Sequence, residues 1–528
     1  MIQRREVPGS QPTQGQLASG VIRPLYLSID QGGHASRVIV FDQAGRMVAQ
    51  AHRSVAVSRP RPDRVEQDAD ALVASVQAAL AECLQTLGTR CRDIVAAGLV
   101  TQRSNIVCWD RDSGRALSPA ISWQDRRGQS WLQDFAPHTE QIRRITGLLP
   151  SAHYGVSKIH WCLDQLEVVA AAHRRGTLVC GPLASFLLFR LLKERPLLVD
   201  SVNASRTLLW DRRTRQWSDE LLGLFGLAAD YLPRCVPNRH AFGSLVVADG
   251  LSIPLTVCSG DQSAALFATG APAAGSAYLN MGTGAFLQCL TPAEQALPAR
   301  LLQSVVWHEP GALLQVLEAT VNGAGSALAL VEKGLGISAR QAQNQAAHWL
   351  ATADRIPLYL NGVSGLGSPF WRADFVSRFV GDGDEKAEPG AKWVAVMESI
   401  LFLLRINLEE LVSEAVDVQQ IVLSGGLSVL DGLCQRLADI SGLPVERLAQ
   451  SEASAQGLAF LLASPPATPV AEGSAVTEDG VADHWVAEDW ASDNRCERFA
   501  PAANPALLDR YARWRRALQA ELDRTSAS

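Results

Sequence analysis

The chain has 528 residues, of which 47% are hydrophobic and 19% charged, a composition typical of a globular protein large enough for two domains. Its formal net charge is −6 and both signs are dispersed, so no basic surface favours nucleic acid or an anionic membrane as a partner. A small-molecule substrate is therefore the expected partner.

Residues 1–23 are rich in Gln, Gly, Ser and Pro and lack the apolar stretch of a signal peptide, which predicts a disordered tail. No apolar run approaches the ~18 residues that span a bilayer. The 10 cysteines are scattered without a Cys-x-x-Cys pair, a pattern typical of a reduced chain. These features predict a soluble, cytoplasmic protein.

The first predicted element after the tail is a β-hairpin over residues 27–42, in which Asp30 ends one strand and Gly32 and Gly33 form the turn. Glycine lets backbone N–H groups approach an anion closely, and an aspartate beside them can hold a metal ion that neutralises the anion. The pattern indicates a phosphate-binding loop. Gly-Gly is also ordinary hairpin chemistry, and an Asp in this place can simply cap a turn.

A helix and a buried strand follow. Residues 65–87 have the length and apolar spacing of an amphipathic helix, and residues 94–100 form an apolar strand that ends in polar residues at 101–103. A later strand, residues 255–258, leads to Asp261, ahead of a helix predicted over residues 263–269. Strands that alternate with helices in this way predict the α/β class.

A second hairpin over residues 277–290 repeats the plan of the first, with Gly282, Thr283 and Gly284 in its turn. Two copies of one hairpin about half a chain apart predict a duplicated architecture, in which each half offers a loop to the same phosphate chain.

Residues 421–424 form a third strand that ends in a polar or glycine loop, here Gly425 and Gly426. Ligands of open α/β sheets bind outside the carboxyl ends of the strands. The three strand ends therefore predict a cleft.

The domain organisation follows from composition. A segment rich in Ala, Pro and Gly precedes the second hairpin, and a low-complexity stretch rich in Pro, Ala, Ser and acidic residues lies near the C-terminus. The predicted units are the tail 1–23, an N-terminal domain 24–269, and a C-terminal domain 270–528 with a surface excursion at 463–494.

The chain resembles the FGGY carbohydrate kinases over roughly residues 25–515, and their glycerol kinase members most closely. The matching blocks follow the family order and are Asp30-Gln31-Gly32 with Ser36-Arg37, Thr101-Gln102-Arg103, Trp123-Gln124-Asp125-Arg126-Arg127, Lys158-Ile159-His160-Trp161, Asn203-Ala204-Ser205-Arg206-Thr207, Gly260-Asp261-Gln262, Gly282-Thr283-Gly284, Gly365-Leu366-Gly367-Ser368-Pro369-Phe370-Trp371 and Gly425-Gly426. The resemblance implies two actin-like (ribonuclease H-like) α/β domains that close on ATP·Mg²⁺ and on a small polyol or sugar held between them.

The same resemblance implies roles for single residues. Asp261 is expected to act as the general base on the substrate hydroxyl, and Asp30 and Asp261 are expected to lie at the Mg²⁺ site. An Asp that opens a helix can also be only an N-cap.

The expected substrate-binding residues are Arg103, Ser104, Trp123, His153, Tyr154, Asp261, Gln262 and Phe286. The expected nucleotide-binding residues are Gly32, Gly33, His34, Arg37, Gly282, Thr283, Gly284, Gly325, Gly425 and Gly426. Trp123 and Phe286 are also candidates for the hydrophobic core, a single glycine is often only a turn, and a lone loop histidine is often only solvated.

The chain departs from the family in its substrate and phosphate loops. Ser104 stands where glycerol kinases have Glu, and His153 stands where they have Tyr, with Tyr154 next to it. Gly33, His34 and Ala35 replace hydroxyl residues in the first turn. A charge-assisted hydrogen bond is worth ~1.5–3 kcal/mol, so we expect Ser104 to weaken glycerol binding by about one or two orders of magnitude.

Two functions are compatible with these residues. The first is an ATP-dependent kinase for a small polyol or sugar, glycerol or a related compound. The second is a catalytically degenerate member of the family that binds a sugar or a nucleotide as a sensor or interaction module. Homo-oligomerisation is left open by the sequence.

Overall fold

The computed structural model describes residues 23–247, 250–292, 296–381, 386–414, 416–448, 452–466, 490 and 497–526. Almost all of the predicted disordered tail and most of the predicted excursion at 463–494 lie outside the described residues.

Two large mixed sheets form the frame of the protein, one from each half of the chain. The strands of the first half are β1 (Leu25–Gln31), β2 (Ala35–Asp42), β3 (Met47–Ser54), β4 (Ser58–Arg61), β5 (Arg64–Gln67), β6 (Ile94–Thr101), β7 (Ile106–Asp110), β8 (Ala120–Ile121), β9 (Leu178–Pro182), β10 (Leu198–Asp200), β11 (Trp210–Asp211), β12 (Gln216–Trp217), β13 (Arg234–Val236), β14 (Arg239–Val246) and β15 (Ser252–Gly260). Those of the second half are β16 (Ser276–Met281), β17 (Ala285–Thr291), β18 (Leu302–Glu309), β19 (Ala312–Val321), β20 (Leu358–Leu360), β21 (Arg378–Val380), β22 (Gln420–Ser424), β23 (Val445–Arg447) and β24 (Glu497–Phe499).

The helices cover the faces of these sheets and join their strands. They are α1 (Ala69–Leu87), α2 (Gln129–Gln133), α3 (Thr139–Thr146), α4 (Gly155–Gln165), α5 (Glu167–Arg175), α6 (Leu183–Leu191), α7 (Ser201–Ser205), α8 (Asp219–Phe225), α9 (Asp261–Ala265), α10 (Gly325–Gly334), α11 (Ala339–Thr352), α12 (Pro389–Ser413), α13 (Asp431–Ser441), α14 (Ala453–Ala463) and α15 (Pro505–Ser526).

The two sheets share one topology. The strand order β3-β2-β1-β6-β15-β14 of the first sheet corresponds to β19-β17-β16-β22-β23-β24 of the second, which adds β18 at its edge. In each sheet the hairpin strand pairs in parallel with the next strand, β1 with β6 and β16 with β22. The predicted duplication and the predicted α/β class are confirmed.

Two predicted helices have wrong boundaries. The helix predicted from residue 65 begins at Ala69, because Asp68 caps it by accepting a hydrogen bond from the Ala71 N–H at 2.9 Å. Val65 lies instead in β5, which pairs with β8. The helix predicted at 263–269 is the shorter α9, which begins at Asp261 itself.

Helix α1 is the most apolar long helix of the first half. Among the described residues, the segment Ala69–Asp93 is long and apolar enough to cross a membrane by length and composition alone. Its buried residues, among them Leu72, Val76 and Cys83, belong to one core cluster with the strands of the first sheet. The apolar face of α1 is thus accounted for by packing on that sheet.

Helix α14 belongs to the second half of the chain but packs on the first sheet. The Ser28 hydroxyl of β1 donates a hydrogen bond to the Ala455 carbonyl at 2.9 Å, and Gly98 of β6 lies directly under Leu458. Gly457 meets α9 backbone to backbone, since a Cβ there would lie 1.8 Å from the Ala264 carbonyl oxygen. This contact holds α9, and therefore Asp261, against the rest of the core.

We expect Gly457→Ala to lower the free energy of unfolding by ~1–3 kcal/mol, because the added methyl group must push α14 away from α9. Urea unfolding measures the change. Gly223→Ala is the matched control, since Gly223 is a helical glycine of α8 with open space around its Cβ position; it should be neutral or stabilising. An equal effect of both substitutions would contradict the close packing of α14 on α9.

Candidate active site

Three adjacent parallel strands of the first sheet end at one edge, where they place three charged side chains. Gln31 of β1 and Gly260 of β15 are both in register with Thr101 of β6. Asp30 therefore lies at the end of β1, and Asp261 directly follows β15. Arg103 follows the central strand between them, as the sequence predicts for residues 101–103.

The carboxyl groups of Asp30, which is buried, and Asp261, which is half-buried, lie close together. Burial and the nearby Asp261 carboxyl raise the pKa of Asp30 to about 7, against the opposing effect of Arg37. Burial also raises the pKa of Asp261, while Arg103 opposes the shift. Two close carboxyl groups that repel each other fit a divalent cation, which would relieve the repulsion.

The described residues hold no group of three or more His, Cys, Asp or Glu side chains that could bind a metal without help. Mg²⁺ keeps several of its waters and commonly binds through one or two carboxylates together with substrate phosphates. The pair of Asp30 and Asp261 is therefore a fitting Mg²⁺ site only in the presence of a phosphate ligand.

The first hairpin turn is supported by glutamine side chains. The Gln31 amide donates to the Gly32 carbonyl at 2.7 Å, and the Gln67 amide donates to the Gly33 carbonyl at 3.1 Å. Gln102 in turn donates to the Gln67 side chain at 2.7 Å. The turn thus has a fixed backbone without the hydroxyl side chains that the family carries there.

Two of the predicted nucleotide residues lie beside this turn in different environments. His34 is exposed. Arg37 of β2 pairs with Glu452 at 3.1 Å, immediately before α14. Arg37 and Glu452 are both close enough to Asp30 to influence its pKa, so this ion pair borders the predicted metal site.

The second hairpin turn carries the start of α10. The Gly325 N–H donates to the Gly282 carbonyl at 2.9 Å, and the Ser326 N–H donates to the Thr283 carbonyl at 3.1 Å. A Cβ on Gly325 would lie 2.8 Å from the Gly282 oxygen, and a Cβ on Gly284 would lie 3.1 Å from backbone oxygens of β19 and the next residue. These glycines are required by close backbone packing, while Thr283 itself is exposed.

The loop after β22 brings Gly425 and Gly426 to the same turn. Gly425 has φ +96°, and a Cβ there would lie 2.6 Å from the Met281 carbonyl oxygen. A Cβ on Gly426 would meet nothing within 4 Å. Gly425 is thus a structural requirement, and Gly426 leaves open space beside Gly282 and Thr283 where a nucleotide can approach.

Arg103 is held from two sides. Its Nη2 group donates a hydrogen bond to Oε1 of Gln262 and lies 3.7 Å from Oε2 of Glu318 in β19. The other guanidinium nitrogen, Nη1, is buried and has no hydrogen-bond partner. Burial and the neighbouring Arg206 lower the pKa of Arg103 to about 10, so it is a cation at neutral pH.

Glu318 is shared between two arginines of the first half. Arg206 Nη1 donates to Glu318 Oε1 at 3.0 Å, and Arg206 Nη2 donates to Ser304 Oγ at 3.1 Å. Gln288 of β17 adds a hydrogen bond to Glu318 at 2.9 Å. Burial alone would raise the pKa of Glu318, but Arg206 and Arg103 lower it to about 2. This cluster joins the second sheet to the substrate-side loops of the first half.

The Trp123 and His153 rings lie side by side, with centroids 5.6 Å apart. Tyr154 is buried on the other side of His153, with its hydroxyl group near Arg206, so His153 is the residue that lies against Trp123. The buried Lys158 donates hydrogen bonds to the Ser104 carbonyl at 2.8 Å and to the His153 carbonyl. Lys158 thereby fixes the two predicted substrate loops relative to each other.

The remaining predicted substrate residues meet in a pocket between α9 and the second sheet. Its lining includes Gln262, Asn280, Phe286, Gln288 and Ser424. Gln262 and Phe286 therefore share one wall.

Three residues of the site were missed by the sequence analysis. Arg206 and Lys158 stand in blocks that match the family, yet no role was assigned to them. Glu318 is a lone acid in an apolar strand, and such a residue needs a charged partner when it is buried. An acidic residue within an apolar strand is therefore the sequence feature that could have identified Glu318.

Two family models match the chain. The N-terminal domain of the FGGY family of carbohydrate kinases matches residues 25–268, and the C-terminal domain of the same family matches residues 277–464.

Curated relatives match over most of their length. "Glycerol kinase 2" of Thermotoga maritima is 30% identical over 510 residues, which are 94% of this chain and 98% of that protein. "Glycerol kinase" of Rhodospirillum rubrum is 34% identical over 446 residues, 83% of this chain and 89% of that protein.

Solved structures share the fold. The glycerol kinase of Plasmodium falciparum with ADP has a TM-score of 0.80 at 23% identity and covers 94% of this chain and 98% of its own. The xylulose kinase of Rhodospirillum rubrum has a TM-score of 0.78 at 20% identity and covers 96% of this chain and 100% of its own. The predicted two-domain actin-like architecture is confirmed.

We expect Glu318→Gln to lower the free energy of unfolding at pH 7 by about 3 kcal/mol or more, because two buried guanidinium groups lose their shared counter-ion. The pKa of Glu318 lies below its ordinary value of 4.5. The stabilisation is therefore present above pH 4.5 and is lost as the pH falls towards 2.

Urea unfolding at pH 7, 5 and 4 gives the free energy of unfolding of wild type and variant. The difference between the two should begin to decrease below about pH 4.5. The control Glu82→Gln removes an exposed partner of Arg53 and should change the free energy of unfolding by less than ~1 kcal/mol. If the difference in the free energy of unfolding between wild type and Glu318→Gln does not depend on pH, the stabilising role of the Glu318 charge is contradicted.

Proposed function

The chain belongs to the FGGY family of carbohydrate kinases, phosphotransferases with an alcohol group as acceptor, and we propose that it transfers the γ-phosphate of ATP to a hydroxyl group of glycerol or a related small polyol. The observation that carries this proposal is the edge of the first sheet, where Asp30, Arg103 and Asp261 follow three adjacent strands.

Asp261 is the proposed general base. Its carboxyl group accepts a hydrogen bond from the Gln262 N–H at 2.7 Å, which orients it at the start of α9. Its pKa is raised by burial, which makes the carboxylate a stronger proton acceptor for the substrate hydroxyl. Gly260, not Asp261, is the N-cap of α9, and Asp261 is the first residue of the helix. A side chain free of the capping role is available for chemistry.

The nucleotide is proposed to bind on the opposite side, against the glycine turns of the second sheet. The open space beside Gly426 and the exposed Thr283 hydroxyl suit a phosphate chain or adenine. Asp30 would help to hold Mg²⁺ together with the phosphates. The ion would neutralise negative charge on the transferred phosphate group. Arg37 supplies a positive charge at the same border, where it is oriented by Glu452.

The acceptor is proposed to lie between Arg103, Gln262 and the ring of Trp123. Arg103 and Gln262 hydrogen-bond to each other and can orient hydroxyl groups in the same plane. Aromatic faces pack against the C–H surface of a polyol, and Phe286 shares the Gln262 pocket. These groups would hold one hydroxyl in line with Asp261, and such positioning is the main contribution a kinase makes to its reaction.

We expect Asp261→Asn to lower kcat for ADP release by 10²–10⁴-fold, because the amide cannot accept the hydroxyl proton. The assay contains purified protein, ATP, Mg²⁺ and a panel of polyols and sugars. Asp112→Asn, which changes an exposed aspartate in a surface turn, should retain wild-type activity.

Turnover that survives Asp261→Asn would rule out Asp261 as the base. If no compound gives turnover, the kinase proposal fails. Calorimetric binding of an ATP analogue or polyol without turnover would then favour the sensor or interaction module.

A further inference from the structure

Three consecutive buried residues after β6 each carry a polar atom without a hydrogen-bond partner. Arg103, Ser104 and Asn105 are 7%, 2% and 0% exposed, respectively. The unpartnered atoms are Nη1 of Arg103, Oγ of Ser104 and Nδ2 of Asn105. Two of these groups can only donate hydrogen bonds, and the serine hydroxyl can donate as well. Buried groups of this kind are satisfied by ordered water or by a ligand, and three donors on consecutive residues suit a ligand rich in acceptor atoms.

The backbone places Ser104 at the acceptor-substrate site. Ser104 has φ 64°, an unusual value for a residue other than glycine. Its carbonyl and the carbonyl of His153 both accept hydrogen bonds from Nζ of Lys158. The His153 ring in turn lies against Trp123, whose backbone N–H donates to the Asn105 side-chain oxygen at 2.8 Å. The loop that carries the unpartnered donors thus adjoins the aromatic wall of the predicted substrate site.

Cations exceed anions at this end of the cleft. Lys158 is 1% exposed, and burial lowers its pKa well below the ordinary value, so it is not a fixed positive charge. The guanidinium group of Arg126, nearer the surface, donates to the Trp123 carbonyl at 3.1 Å. Neither side chain forms an ion pair with a carboxylate in the part of the chain that the structure describes.

The acidic side chains near the loop from Arg103 to Asn105 already have partners. Glu318 serves both Arg103 and Arg206, which leaves one positive charge in that cluster. Asp125 pairs with Arg127 at 2.8 Å. Asp261 is the exception, and the proposed reaction assigns it to the hydroxyl that is phosphorylated. Within the described residues, no further carboxylate remains to accept a hydrogen bond from a second substrate hydroxyl beside Ser104.

A neutral hydroxyl and a carboxylate differ in their fit to such a site. A hydroxyl bound there would accept hydrogen bonds, but its own proton would lack an acidic acceptor. A carboxylate has about four lone-pair sites and no proton. It also matches the planar fork of a guanidinium group and would neutralise the surplus positive charge.

On the basis of the proposed kinase function, we propose that the acceptor substrate is a small polyhydroxy carboxylate, whose carboxylate is bound by Arg103, Ser104 and Asn105 while a hydroxyl at its other end faces Asp261. The class comprises hydroxy acids of the aldonate type. The carboxylate undergoes no reaction, and the bond that forms is the phosphate ester at the distal hydroxyl.

The test compares acids and neutral polyols of equal chain length: glycerate with glycerol, erythronate with erythritol, and ribonate with ribitol. ADP release gives kcat/KM for each compound. We expect at least one acid to exceed its neutral partner by 10-fold or more, since charge-assisted hydrogen bonds are worth ~1.5–3 kcal/mol. Neutral polyols that equal or exceed their acids in every pair overturn the inference and leave the proposed kinase function intact.

Ser104→Glu supplies the missing acidic acceptor at the same backbone position. We expect it to reduce the acid-to-neutral ratio of kcat/KM by at least 10-fold, through repulsion of the carboxylate and a new acceptor for a hydroxyl. Ser104→Gln is the variant matched for size, because it adds similar bulk without charge and keeps a donor group, so it should reduce the ratio less than Ser104→Glu does. Equal losses in both variants would mean that size, rather than charge, sets the ratio, and would overturn the inference.

Calorimetry with the same compound pairs separates the two proposals. If none of the compounds is phosphorylated, the kinase function fails for this panel, whereas the binding constants still report on the site. Tighter binding of an acid than of its neutral partner, lost in Ser104→Glu, supports the carboxylate site. Equal binding overturns it. Thermal melting of each variant confirms that it is folded.

Discussion

The buried Glu318 carboxylate, held between Arg103 and Arg206, is the interaction on which the cleft depends. It is the point where a strand of the second sheet reaches into the loops of the first half. Two guanidinium groups cannot be buried side by side without a shared anion, because the cost of desolvating each charge is several kcal/mol. The position of the second half is therefore linked to the orientation of Arg103, and with it to Gln262 and the start of α9.

Helix α14 provides the second link between the halves, and it uses packing instead of charge. The helix follows the second sheet in the chain but buries its apolar residues against the first sheet and α9. Glu452, just before the helix, pairs with Arg37 of the first hairpin. The packing of α14 on α9 thus supports Asp261, and the ion pair of Glu452 with Arg37 supports the region around Asp30. The strand register of the first sheet sets the positions of both carboxyl groups, and these contacts between the halves support them.

Much of this arrangement could be predicted from local sequence. Asp30 and Asp261 each stand at the end of an apolar run, and the register of parallel strands then brings them to one edge. The turn glycines were also predictable, although Gly425 and Gly325 are needed for close backbone packing and only Gly426 leaves open space. The cluster of Glu318 and Arg206 was not predictable in this way. Its members lie 112 residues apart, and only tertiary structure shows that they meet.

The polarity of the cleft gives a direction to the proposed substrate. The edge with Asp30 and Asp261 has two close carboxyl groups that repel each other, so it favours a cation and a proton donor. The loop from Arg103 to Asn105 has unpartnered donors and favours an acceptor. A molecule with a carboxylate at one end and a hydroxyl at the other fits between the acidic edge and the donor loop in a single orientation. In that orientation the hydroxyl lies beside Asp261, and the carboxylate is kept away from the phosphates, which it would repel. The difference in charge between the two ends of the cleft would thus select both the substrate class and the hydroxyl that reacts.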